Sequence, residues 1–99
     1  MFYLGIDVAK AKIDCCLILE NSANKKKTKT FSNTPKGFEQ LQIWLNQHAA
    51  TSTQTIILME ATSIYHELLV KYLFDAGYQV CVTVKTLVHL VTQKRASTK

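Results

Sequence analysis

Residues 5–18 read GIDVAKAKIDCCLI, and the spacing within this run decides the kind of fold. Phe2, Leu4, Ile6 and Val8 alternate with Tyr3, Gly5 and Asp7, a period of two that predicts a strand. Ile13, Cys15, Leu17 and Leu19 alternate in the same way with Asp14, Cys16, Ile18 and Glu20. The link between the runs is too short for a crossover, so the two strands are expected to pair antiparallel. Two aspartates in so apolar a stretch need a reason, because a buried acid without a partner costs several kcal/mol. Gly5 shares a face with Asp7 and leaves room beside its carboxylate.

Working outward, Asn21–Asn24 reads as a turn and Lys25–Phe31 as a third strand of the meander. A helix opens at Thr34-Pro35, where Thr34 can cap and Pro35 suits the first helical position. Phe38, Leu41 and Leu45 are spaced to face a core. Thr55–Ala61, TIILMEA, is continuously apolar before Glu60 and predicts a central strand covered on both faces. Thr62 or Ser63 can cap a second helix, whose apolar stripe is Ile64, Leu68, Leu69, Tyr72 and Leu73 and whose end is Gly77. YQVCVTV, residues 78–84, predicts another strand, and Thr86 begins a short helix carrying Leu87, Leu90 and Val91. The order β-β-β-α-β-α-β-α describes an α/β fold, a mixed sheet with helices packed on it.

Ninety-nine residues suit a single domain, here residues 1–99. The chain is 47% hydrophobic and 19% charged, which is a globular composition. No apolar run approaches the roughly 18 residues of a membrane span, so no membrane role is expected, and no export signal is visible. Cys15, Cys16 and Cys81 contain no C-x-x-C and read as small core residues in a reducing, cytoplasmic setting. His48, His66 and His89 have no metal-ligand spacing. The net charge of +5 favours polyanionic partners. Lys25, Lys26, Lys27 and Lys29 form one cluster, whose plainest reading is an edge strand protected by lysines. Lys94, Arg95 and Lys99 form another.

Ligands of open α/β sheets sit beyond the carboxyl ends of strands. Glu60 stands at such an end and Asp7 near another, so the two are expected to converge. Converging carboxylates repel unless a proton or cation relieves them. Mg²⁺ accepts a few carboxylate oxygens and keeps its waters. From spacing alone this remains open: Asp7 can equally be a solvated strand-end acid, with Glu60 paired to a lysine. By strand parity Asp14 shares no obvious site with Glu60 and reads as a structural or hairpin-edge residue.

GIDVAKAKIDCCLI, SNTPKGFEQLQIWL, MEATSIYHELLVKYLFDAGYQVCVTV and the terminal KRASTK together resemble the DEDD-type transposases of bacterial insertion sequences, the insertion-sequence 110 family, which includes related DNA invertases. The resemblance runs in order along nearly the whole chain. It implies a ribonuclease-H-like (RuvC-like) N-terminal domain in which four acids bind Mg²⁺ or Mn²⁺. Asp7 matches the first of them and Glu60 the second. The other two belong to a D-x-x-D motif, which these residues do not contain, so the chain resembles an N-terminal domain truncated before that motif and is expected to be nearly inert alone. Ser63 stands where glycine is common, and Lys85 and Thr86 where Asn-Pro is common. The implied partners are DNA, a structured guide RNA in some members, and further copies of the chain in the full-length protein. Lys94, Arg95 and Lys99 would contact nucleic-acid backbone.

Two other classes fit parts of the sequence. Sugar-kinase and actin-like phosphotransferases also open with a G-I-D hairpin, but theirs uses Gly and Ser or Thr to approach phosphate, whereas Val8, Ala9, Lys10, Ala11 and Lys12 follow Asp7 here. A non-catalytic dimerisation or nucleic-acid-binding module would expose Trp44, Tyr65 and Tyr72, which otherwise pack into a core.

Overall fold

The computed structural model describes residues 1–19, 22–61 and 64–84. Strands β1 (Phe2–Val8), β2 (Lys12–Leu19) and β3 (Ser22–Ser32) form an antiparallel meander. Helix α1 (Pro35–Gln47) then crosses over to β4 (Thr55–Ala61), and helix α2 (Glu67–Asp75) leads to β5 (Gln79–Val84). The sheet order is β3-β2-β1-β4-β5, with β4 parallel to both β1 and β5. The described elements make a mixed α/β fold, with a five-stranded sheet, two α-helices and a 3-10 turn (Ile64–His66) between β4 and α2. The helix expected from Thr86, and the proposed caps Thr62 and Ser63, lie outside the described residues. β3 begins at Ser22, so the ladder takes up residues expected in the turn.

One face of the sheet carries the core. Leu4, Ile6 and Val8 of β1, Ile13, Cys15 and Leu17 of β2, Phe31 of β3, and Ile57 and Met59 of β4 are buried on it. Helices α1 and α2 close that face with Phe38, Leu41, Trp44, Leu45, Leu69 and Leu73. Trp44 is therefore a core residue, packed at a tilt on Phe31 with ring centroids 5.7 Å apart. Tyr72 is half-buried and donates to Gln42 Oε1 at 2.8 Å, while Tyr65 is exposed.

Helix α1 starts as its sequence dictates. Thr34 is extended, its Oγ1 accepts from Gly37 N at 3.2 Å, and Pro35 occupies the first turn. Satisfying one of the helix's free N–H groups in this way stabilises it by about 1 kcal/mol. Helix α2 ends at Gly77, whose φ of +90° is a conformation that favours glycine.

The other face is not the covered one that the apolar run of β4 suggested. Leu58 is 54% exposed and Glu60 is exposed with it. An unbroken apolar run cannot distinguish a strand buried on both faces from one with a partly open side. Two further expectations fail on the helices and cysteines. Ile64, in the 3-10 turn Ile64–His66 before α2, and Leu68 are each 68% exposed, whereas Leu69 and Leu73 of the same expected stripe are buried. Cys15 is buried, but Cys16 is only half-buried and Cys81 is exposed, since both lie on the open face.

Candidate metal centre and nucleic-acid face

The strand register builds the site. Asp7 of β1 pairs with Asp14 across the antiparallel ladder and with Glu60 across the parallel one. Asp14 in turn pairs with Thr30 of β3, and Glu60 with Thr83 of β5. Thr30, Asp14, Asp7, Glu60 and Thr83 thus form one row across the whole sheet, on the face opposite the helices. At about 4.8 Å per strand the row is about 19 Å long. All five residues are exposed and all five line a single concavity of about 760 Å³. Gly5, Cys16, Leu58 and Thr28 lie along its floor and wall. A Cβ on Gly5 would meet nothing nearer than the Cys16 carbonyl oxygen at 4.0 Å, so the room expected beside Asp7 is there.

This placement corrects the reading of Asp14. It is neither on a sheet edge nor out of line with Glu60; it stands beside Asp7 in the same row, because antiparallel pairing couples the two parities through the turn. Its carboxylate is nevertheless engaged. Thr30 Oγ1 donates to Asp14 Oδ1 at 2.6 Å, a charge-assisted bond of the stronger kind. Neither Asp7 nor Glu60 forms a hydrogen bond or ion pair through its carboxylate with another described residue. Of three adjacent acids, two carry open oxygens and one is tied to the neighbouring strand.

Hard oxygen donors on neighbouring strands fit a divalent ion of the Mg²⁺ or Mn²⁺ kind. They fit it in part: among the described residues no group of three or more His, Cys, Asp or Glu side chains could hold an ion. The two open carboxylates, Asp7 and Glu60, are fewer than the three side chains such a group needs. Lys94, Arg95 and Lys99 lie outside the described residues.

Asn33 was not anticipated. Its side-chain amide donates to the carbonyls of Ala9 at 2.9 Å and Tyr65 at 2.9 Å, with a longer contact to Lys10 at 3.5 Å. Ala9 follows β1, which carries Asp7 next to its last residue, and Tyr65 lies in the 3-10 turn Ile64–His66 after β4, which carries Glu60 next to its last residue. One amide thereby joins the chain segments beyond both carboxylates. The visible signal is Asn33 itself in SNTP, a type that bonds to nearby backbone, but nothing in the sequence names carbonyls so distant.

A mixed sheet with open carboxylates at the ends of adjacent parallel strands is an arrangement found among nucleic-acid-processing enzymes, and the comparisons agree. The transposase family of the DEDD, insertion-sequence 110 type matches residues 4–99, and the chain belongs to that family. Its relatives include the pilin gene-inverting proteins of Moraxella bovis and Moraxella lacunata, each 30% identical over 87 residues. Those residues are 88% of this chain but 26% of each relative, so the chain spans about a quarter of their length. The family is RuvC-like, in keeping with the mixed five-stranded sheet. No helix among the described residues is long and apolar enough to cross a membrane.

Proposed function

We propose that residues 1–99 are the N-terminal, ribonuclease-H-like domain of a DNA transposase or recombinase, and that Asp7 and Glu60 supply two of the acids that hold its divalent ion. The supporting observation is the register that sets Asp7 beside Glu60 on an open face with both carboxylates unengaged by described residues. An ion bound there would place positive charge against a DNA phosphate oxygen and lower the pKa of a bound water. The chain's own contribution is positional. Asp7 and Glu60 present oxygen donors from rigid strands, Gly5 keeps the floor clear, and Thr30 holds Asp14 aside. In this reading DNA cleavage and rejoining also need the D-x-x-D acids of the family, which residues 1–99 do not contain. Family membership and the gene-inverting relatives support DNA as substrate. A guide RNA and self-association are further parts of the proposal.

Mn²⁺ titration followed by electron paramagnetic resonance tests the ligand assignment. Asp7→Asn and Glu60→Gln should each weaken binding about tenfold or more, as loss of a ligand or its immediate support does. Asp14→Asn should change it far less. Unchanged Mn²⁺ affinity in Asp7→Asn, or an equal loss in Asp14→Asn, would refute the assignment.

A further inference from the structure

A face that carries three carboxylates repels the phosphodiester it is proposed to receive, so cationic groups are needed to offset them. The described residues supply them on β3. This strand forms the sheet edge next to β2, and Lys26, Lys27 and Lys29 are all exposed. None of the three forms an ion pair with a described residue, unlike Lys71, which pairs with Asp75 on the surface of α2. The register distributes them on both sides of the edge. Lys26 pairs with Ile18, so it shares the acidic face with Thr28 and Thr30. Lys27 and Lys29 pair with Leu17 and Cys15, so they belong to the helix-covered face. There Lys29 Nζ lies 5.6 Å from the Phe31 ring centroid. β3 is also a wall of the acidic concavity, through Thr28, Lys29 and Thr30. β3 lies two strand spacings, or about 10 Å, from Asp7, with Lys29 next to the row at Thr30 and Lys26 about 13 Å from Thr30 along the strand.

We propose that Lys26, Lys27 and Lys29 form a docking ridge for the phosphates of duplex DNA that flank the bond held at Asp7 and Glu60. The proposal rests on the reading of those two acids as the DNA site. Protection of a free edge explains charges on β3. It does not require lysines on both faces of the strand without ion pairs to described residues, beside a concavity whose other charged lining residues are acids. A DNA backbone passing over the edge meets both sets.

Binding of a short fluorescent DNA duplex, measured by anisotropy over a series of salt concentrations, tests this. Each lysine neutralising one phosphate contributes about −0.9 to the slope of log K against log salt. The triple variant Lys26→Gln, Lys27→Gln, Lys29→Gln should flatten that slope by about 2 to 3 units. Its Mn²⁺ affinity should stay at the wild-type value, and replacing the same lysines by Arg should keep the slope. Three results would overturn the ridge: an unchanged slope in the folded triple variant, self-association of that variant by light scattering with DNA binding intact, or tighter lysine-dependent binding of an RNA duplex than of DNA. Asp7→Asn carried through the same measurements separates the two readings. If it leaves Mn²⁺ binding unaltered while the lysine-dependent slope persists, the carboxylate assignment fails and the ridge stands.

Discussion

Replacing Gly37 by alanine should destabilise the protein although alanine is the better helix former. Gly37 sits in the first turn of α1, where a Cβ would overlap the Ser32 backbone carbonyl oxygen and lie 2.6 Å from Ser32 Oγ and 2.8 Å from Ser32 C. Backbone atoms at the end of β3 cannot rotate away as a side-chain tip can. Separating them means moving α1, which is held there by the Thr34 cap and the 2.8 Å contact between Ser32 and Thr34 hydroxyls. Overpacking of this kind costs about 1–3 kcal/mol, and a backbone neighbour puts the cost near about 3 kcal/mol. Helix propensity returns up to about 1 kcal/mol. The net loss is about 2 kcal/mol, or a fall in Tm of about 8–16 °C for a chain this size. Gly5→Ala is the internal control. Its Cβ enters open space, and relief of glycine's entropy in a strand favours alanine by about 0.5–1 kcal/mol. Urea unfolding followed by circular dichroism reads both. Gly37→Ala as stable as wild type, or more so, would refute the close approach of α1 to β3.

Two more outcomes follow from burial. Burial, with the charges of Asp14 and Cys16 adding to it, pushes the Cys15 thiol from an ordinary 9.0 up to about 12. A disulfide reagent at pH 8 should therefore modify exposed Cys81 in the folded protein and reach Cys15 only on unfolding. Because the unfolded chain releases the Cys15 proton near pH 9 and the folded one retains it, the contribution is intact below pH 9 and is lost as pH rises from about 9 towards 12. Chemical denaturation across that range should show a falling stability that is shallower in Cys15→Ala, where only the burial of Tyr78, whose pKa is raised above its ordinary 10.0, still contributes to it. Ile57→Ala should cost about 2–5 kcal/mol because the side chain is wholly buried. Its neighbour Leu58→Ala should stay within about 0.5 kcal/mol because it faces the open side; equal losses would place the sheet's faces wrongly.

The elements were legible where a short period or a local cap defines them. Alternation in residues 2–8 and 13–19, the Thr34-Pro35 start of α1 and the Gly77 stop of α2 all depend on nearby residues, and each is present in the fold. The convergence of Asp7 and Glu60 was legible too, because strand ends of an α/β sheet are where such groups meet. What failed depends on three-dimensional register. Asp14 reached the row of acids through its pairing with Asp7, which parity counted along one strand does not reveal. Leu58 looked buried because an apolar run does not show which face a helix covers. Ile64 and Leu68 looked like core because a stripe on a helix leaves several degrees of rotation undecided, and packing chose Leu69 and Leu73. Asn33 depends on the carbonyls of Ala9 and of Tyr65, in a 3-10 turn, which only the finished fold brings within reach.

Asp7 belongs to a hairpin whose strands are neighbours in the chain, whereas Glu60 reaches it only after the α1 crossover is complete. Contacts between sequence neighbours close with less loss of chain freedom than those between distant segments. The pairing of Asp7 with Asp14 is therefore local, whereas its pairing with Glu60 depends on the crossover being closed. Any event that loosens the crossover parts Asp7 from Glu60, which would make ion capture a sensitive gauge of whether the whole domain has closed.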